Sequence, residues 1–434
     1  MILLKEIKSD QITEESLSNY IPRASTQIEL IKDKVFSIIQ GVKEDGDTAL
    51  IKYTKDFDKV ELSSSQIRVS VDEILEAYEK SDKNLIGAIR VAKQNLVKFQ
   101  QAQSREDWMI EIEEGVSAGQ IYRPLDRLGI YIPGGKAIYP STVLMIAAPA
   151  FVAGVKEIIM CSPPQQDTKI ASAILIAANE FGINKIYKAG GAQAIAAMAY
   201  GTKTIPKVQK IIGPGNIWVN AAKKLLSDVI AIDTPAGPSE ILIICDENTS
   251  PNYVVVDLLS QVEHDPDNIG IIVTDSEKLI NQIKEIFYYY VKNSKRRDII
   301  EKALENNSLI IKAKDIDDCI RLSNLIAPEH LEILTQNPNK LVKKIHNAGA
   351  VFLGPYSPVS LGDYCAGTNH VLPTGGSAKA HSGLNFFDFV KIIDVLKCEK
   401  KGLIRLSNTA IRLSELEGLH SHKNSIEERL KDKN

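Results

Sequence analysis

A chain of 434 residues is too long for one hydrophobic core, since single cores stop growing at roughly 250 to 300 residues, so two domains are expected. With 44% hydrophobic and 25% charged residues, the composition is that of a globular protein and excludes a wholly disordered one. A formal net charge of -3 with scattered basic residues excludes the electrostatic footprint of a nucleic-acid binder, and the ligand is expected to be small.

The opening Met1-Ile-Leu-Leu-Lys5-Glu6 is soon interrupted by charge and is not a signal peptide. The longest uncharged apolar run, Val143 to Val155, is too short to span a bilayer and contains Pro149. Cys161, Cys245, Cys319, Cys365 and Cys398 are odd in number and widely spaced, and they read as reduced thiols. A cytoplasmic location is the expectation.

From Asp33 to Gln103 the text is charged, with apolar residues at helical spacing in Val35-Phe-Ser-Ile-Ile39 and Leu85 to Ala92. After Asp107, short β-rich runs alternate with helical segments, the pattern of βαβ units and a parallel sheet. Strands are expected at 128–132, 157–161, 185–188, 210–212, 229–232, 241–245, 270–274, 309–311 and 350–353. Four of them run into Gly/Pro turns: Pro133-Gly134-Gly135, Ala189-Gly190-Gly191, Gly213-Pro214-Gly215-Asn216, and Thr234 to Glu240. Those turns follow carboxyl ends of strands, the edge at which open parallel sheets bind ligands. Each alone can be a simple tight turn; four together point to a cleft. Gly213-Pro214-Gly215 supplies two glycines of a dinucleotide fingerprint, but Trp218 stands where the third belongs. The segment from His381 onward reads as helices too short to fold alone.

Metal-type ligands concentrate in two stretches, Gln261-Val-Glu-His264 and Gly362-Asp363 to His370. A helix over Val254 to Ser260 would place Gln261 and His264 on one face, where such a pair is either a solvated or core face or part of a metal site. Asp363, Asn369 and His370 lie in a turn-rich stretch, either a connecting loop or a functional one. His422, judged by spacing, is a surface residue. Ala327-Pro328-Glu329-His330-Leu331-Glu332 puts a carboxylate beside an imidazole, the side chains suited to proton transfer near neutral pH; its other reading is a helix N-terminus with Pro328 in the first turn. Cys365 could be a thiol nucleophile with His330 or His370 as base, but nothing nearby lowers its pKa, so water is preferred as the nucleophile.

Together these pieces resemble the histidinol dehydrogenase family. The resemblance runs over nearly the whole chain, through Gly129-Ile-Tyr131-Ile-Pro-Gly-Gly135, Ser141 to Met145, Ala189-Gly-Gly-Ala-Gln193, Gly213-Pro-Gly-Asn216, Pro235-Ala-Gly-Pro-Ser239-Glu240, Leu259-Ser-Gln261-Val-Glu-His264, Ala327 to Glu332, and Gly362 to Thr374. It implies zinc, one per subunit, held by Gln261, His264, Asp363 and His422, which overturns the surface reading of His422. It also implies Glu329 and His330 as the catalytic pair, with Ser239, His370 and Glu417 contacting substrate alongside His330 and the metal ligands. Tyr131, Gln193 and Asn216 would line the NAD site. The implied activity is the four-electron oxidation of L-histidinol to L-histidine through L-histidinal, with His330 as general base and Glu329 activating water, in a homodimer with shared active sites. One departure is Val359, where the family pattern carries a glutamate after Ser357-Pro358, so a contact supporting the metal site is missing.

The expected architecture is α/β, with two parallel-sheet, incomplete Rossmann-like domains, a small N-terminal helical arm and a C-terminal helical extension. The arm is residues 1–24. Residues 25–106 and 237–381 form the first domain, with the metal and catalytic residues, and 107–236 form the second, which binds NAD. Residues 382–434 cross to the partner. Rival readings are a dehydrogenase of another small alcohol, a zinc hydrolase, and a non-catalytic dinucleotide-binding protein.

Overall fold

The computed structural model describes residues 4–21, 23, 27–134, 138–234 and 237–431. Its centre is two parallel sheets. The first runs in the order β1 (Lys5–Lys8), β11 (Ser308–Lys312), β10 (Ile269–Thr274), β9 (Glu240–Cys245), β12 (His330–Leu334), β13 (Ala350–Leu353). Every residue of β9, β10 and β12 is buried, as expected for strands covered on both faces. Successive side chains alternate between those faces. Ile241 and Ile243 join a core with helices Pro251–Val262 and Glu277–Asn293, whereas Leu242 and Ile244 join one with helix Ile316–Ile326.

The second sheet is ordered β6 (Lys185–Lys188), β5 (Glu157–Ser162), β4 (Arg127–Tyr131), β7 (Lys210–Ile212), β8 (Ala231–Ile232), again parallel. Helices Pro140–Ala153 and Ser172–Glu180 cover one face, and Gly191–Tyr200 and Ile217–Leu225 the other. The helices between 27 and 101 pack here as well: Gln27–Asp45 joins the core of Gly191–Tyr200, and Val71–Lys80 and Lys83–Gln101 join that of Pro140–Ala153. The expected division placed residues 25–106 with the other sheet. An apolar stripe says that one helix face is buried and not against which partner.

All nine expected strands form, and among the described residues five further ones accompany them. The N-terminal residues expected as a helical arm begin with β1, an edge strand beside β11. A third, antiparallel sheet comprises β14 (Val390–Cys398), β3 (Val116–Pro124) and β2 (Trp108–Glu113). Residues 390–398 were expected to be helical. Lys391, Asp394 and Lys397 repeat every three residues, which mimics a helical period, whereas nine paired residues along β3 fix the segment as a strand. Helices Lys400–Leu416 and His420–Leu430 then complete the expected helical extension. Among the described residues no helix is long and apolar enough to cross a membrane.

Candidate active site

The backbone of one residue, Glu240, organises the proton-transfer pair. Glu240 opens β9 and His330 opens the adjacent β12, with His330 in register with Ile241. The Glu240 N–H donates to Glu329 Oε2 at 2.9 Å, and its carbonyl accepts from His330 Nδ1 at 3.1 Å. A carbonyl can only accept, so Nδ1 carries a proton, and when the ring gives up its second proton the lone pair appears on Nε2. The Glu240 carboxylate is anchored in turn by Arg23, at 3.1 Å to each oxygen, and by the Gly375 N–H at 3.0 Å.

Pro328 therefore does not start a helix. Helix Ile316–Ile326 ends at Ala327 in the left-handed region (φ 52°), and the chain turns through Pro328 and Glu329 into β12. A non-glycine residue held there marks local strain of order 1 kcal/mol immediately before the pair. Gly349 lets a neighbouring backbone pass: a Cβ on it would lie 2.6 Å from the Glu329 carbonyl oxygen. The carboxyl-edge rule misplaces this part of the site, because Glu240 and His330 lie at the amino ends of their strands.

Glu329 and His330 are both buried, with Glu329 Oε2 3.6 Å from His330 Nδ1. Burial lifts the Glu329 carboxyl to about 7, while the His330 charge and the Glu240 N–H restrain the rise. Burial alone would depress His330. The Glu329 and Asp363 carboxylates outweigh it and raise the imidazole to about 9.

The metal-type residues come from three places. Helix Pro251–Val262 carries Gln261 in its last turn, with His264 just beyond the C-cap and exposed to solvent. Asn268 braces that turn, donating to the Gln261 carbonyl at 2.8 Å and accepting from the Ser239 N–H at 3.0 Å. Asp363 sits in the short helix Val359–Tyr364. Its Oδ2 accepts from Gln261 Nε2 at 3.3 Å and its Oδ1 lies 3.5 Å from His330 Nε2, which has no aligned hydrogen bond. Its carbonyl accepts from His370 Nδ1 at 2.8 Å, leaving His370 Nε2 to Thr142 at 3.4 Å. Burial pushes the Asp363 carboxyl up, but His330 prevails and holds it below the ordinary range.

Gln261, Asp363, His330, Glu329 and His370 thus form one connected cluster. An amide oxygen, a carboxylate and an adjacent exposed imidazole are a donor set that suits a divalent cation, provided the Gln261 amide turns over to present Oε1. Among the described residues no three His, Cys, Asp or Glu side chains are gathered closely enough to hold a metal by themselves. Cys365 is partly buried against the core of the second sheet, its carbonyl accepting from Asn95.

At the carboxyl edge of the second sheet, the Tyr131 hydroxyl accepts from the Gly191 N–H at 3.1 Å. Gln193 is 1% exposed, with neither amide atom partnered. Such orphaned groups mark either a ligand or ordered water. Asn216 caps helix Ile217–Leu225, its side-chain oxygen accepting from Trp218 and Val219 N–H at 3.0 and 3.2 Å. The preceding Gly213 has φ 139°, and a Cβ there would lie 2.1 Å from the Tyr131 carbonyl oxygen. Buried, ion-paired Lys223 and Asp233 hold the Gly213 backbone: Lys223 donates to its carbonyl at 3.0 Å and Asp233 accepts its N–H at 2.8 Å. In the other glycine turns, Gly135, Pro235 and Ala236 lie outside the described residues.

A model of the histidinol dehydrogenase family matches residues 21–430. The chain belongs to the histidinol dehydrogenase family. It is 46% identical over 416 residues to the histidinol dehydrogenase of Methanothermobacter thermautotrophicus, covering 96% of this chain and 97% of that protein. It is 48% identical over 403 residues to that of Clostridium acetobutylicum, covering 93% of each. The crystal structure of histidinol dehydrogenase from Elizabethkingia anophelis superposes with a TM-score of 0.95 at 42% identity, covering 99% of this chain and 98% of that one.

For a histidinol dehydrogenase chain, four expected metal- and substrate-site residues lie outside the cluster: Ser239 and His264, which adjoin it through the Asn268 brace and the Gln261 turn, and two at the C-terminal helices. Glu417 and His422 are exposed at the C-terminal helices, and among the described residues no hydrogen bond or ion pair ties either side chain to the cluster. Sequence reasoning missed Glu240, Arg23, Asn268, Lys223 and Asp233. Only Glu240 carried a signal, as the carboxylate that ends the Pro/Gly-rich turn after Ser239.

Proposed function

We propose that this chain oxidises L-histidinol to L-histidine through L-histidinal, using NAD twice, with Glu329 and His330 as its proton-transfer pair and Gln261, His264, Asp363 and His422 of the partner subunit as zinc ligands. The observation that carries this reading is the Glu240 backbone: its carbonyl holds the proton on His330 Nδ1 and its N–H holds Glu329 beside it, with Asp363 and Gln261 on the Nε2 side. NAD supplies the hydride acceptor in each step. Zinc supplies a template and Lewis acid for the substrate.

His330 Nε2 takes the alcohol proton in the first oxidation, and Glu329 takes a proton from the water that adds to the aldehyde in the second. Burial excludes bulk water around both groups, so the aldehyde stays in place between steps. Ser239, His370 and Glu417 orient the substrate in this reading. Tyr131, Gln193 and Asn216 receive NAD, and the unpartnered Gln193 amide is the clearest vacancy for a ligand's polar groups.

A homodimer is supported by apolar surface. Trp108, Ile110, Ile112, Ile392, Ile393 and Leu396 of the antiparallel sheet are exposed, as are Leu413 and Leu416 beside Glu417. Exposed apolar surface on this scale suits an interface. In this reading a second copy covers that surface and lends its His422 to the first copy's zinc site.

The test is stoichiometric. Purified, zinc-loaded protein given L-histidinol and NAD should form two NADH per histidinol consumed, with L-histidine as product. One NADH with accumulated aldehyde, or turnover without nicotinamide, contradicts the proposal.

A pH dependence also follows from Glu329. Its carboxyl is raised to about 7, and only the carboxylate can take a proton from water. L-histidinal oxidation should therefore rise with pH through about 7 and fall roughly tenfold per unit below about 6. Glu329→Gln should remove that limb together with most of the rate. A pH-independent rate from about 5 to about 8 would be incompatible with Glu329 as the base.

A further inference from the structure

Glu332 is two residues past His330 and fully buried, so both side chains leave the same face of β12. Its Oε1 accepts the Val359 N–H at 2.9 Å. Val359 is the first residue of the helix that carries Asp363, and that N–H is one of the donors a helix N-terminus leaves without an internal partner. The usual local solution is absent, because the N-cap is Pro358, which makes no side-chain cap. A carboxylate from another element does the capping instead. Asp257, one turn before Gln261 in helix Pro251–Val262, is close enough to the same Glu332 side chain for the two carboxyls to influence each other, and burial pushes both upward.

We infer that Glu332 is a positioning residue: by tying the Val359 N–H to the strand of His330, it sets where Asp363 stands relative to Gln261 and His330 in the metal site. Three elements converge on the site, and Glu332 bonds the helix of Asp363 from the strand that carries His330. The helix bearing Asp363 has six residues, too few to hold itself in place by its own hydrogen bonds. Residue 359 contributes through its main chain, and its apolar side chain packs into the core beside Phe352 and Leu334. Valine can therefore stand where the family pattern has a glutamate.

The inference rests on the zinc-ligand reading above, and the test separates the two. Zinc affinity of the full-length protein is measured by competition with a chelator for the native chain and for Glu332→Gln, Glu332→Leu, Val359→Pro and Asp363→Asn. Glu332→Gln keeps an acceptor for the Val359 N–H, so its affinity should stay within about threefold of native. Glu332→Leu should weaken zinc binding by about 10- to 100-fold, the range seen when partners behind metal ligands are lost. Val359→Pro deletes the N–H and exchanges the buried valine side chain for a ring of similar size, at a first helical position where proline is tolerated. It should reproduce the loss even if Glu332→Leu does not fold. Native affinity in Val359→Pro and Glu332→Leu, with zinc lost in Asp363→Asn, overturns the inference while sparing the ligand assignment. So does an equal loss in Glu332→Gln and Glu332→Leu. Native affinity in all four removes the zinc-ligand reading and the inference with it.

Discussion

His330→Asn is expected to lower turnover of L-histidinol by at least about 10²-fold while zinc stays bound, the range attributed to a positioned general base. Asparagine can still donate to the Glu240 carbonyl that now holds His330 Nδ1 at 3.1 Å, so the strand opening should survive. What disappears is the lone pair on Nε2, beside Asp363. The measurement is steady-state kcat alongside zinc content of the same preparation. A near-native kcat would remove His330 from proton transfer, and a loss of zinc would mean that the imidazole belongs to the metal site instead.

The second large effect concerns the exposed C-terminal histidine. If His422 completes the site of the partner, His330→Asn and His422→Asn should each be nearly inactive alone, yet subunits of the two kinds, re-associated, should regain activity. In such a heterodimer the subunit with native His330 receives His422 from a neighbour that still has it, whereas the other site lacks both. The heterodimer should therefore reach about half of native activity per dimer, because one of two symmetric sites is whole. The readout is NADH formation after dissociation and mixing, against each variant treated alone. No recovery would place His422 outside the partner's site.

Much of this was legible in the residues because it is written as side chains and periodicity. The nine expected strands are apolar runs ending in turn signals, and all of them pair in the two parallel sheets. The pairing of Gln261 with Asp363, a hundred residues apart, followed from their being metal-type ligands in a histidine-poor chain, and the structure brings them to 3.3 Å. What was not legible is written in backbone or in partners. The clamp on Glu329 and His330 is the Glu240 backbone N–H and carbonyl, groups that nearly every residue has. Ala327-Pro328-Glu329 reads equally well as a helix start, and only pairing with β9 and β13 makes His330–Leu334 a strand. The helices between 27 and 101 declare an apolar face but not the sheet that receives it. The amino-end placement of Glu240 and His330 could not be read from the glycine turns either, since that rule describes the edge where helices begin, and here it located the Tyr131, Gln193 and Asn216 loops alone.

The most direct test is the position of zinc itself. Crystals of the zinc-loaded protein, with anomalous diffraction recorded on both sides of the zinc absorption edge, should show one zinc per subunit bonded to Gln261, His264, Asp363 and His422 of the partner subunit. The account is contradicted if the anomalous peak lies away from Asp363, or if it lies there with the partner's His422 beyond bonding distance.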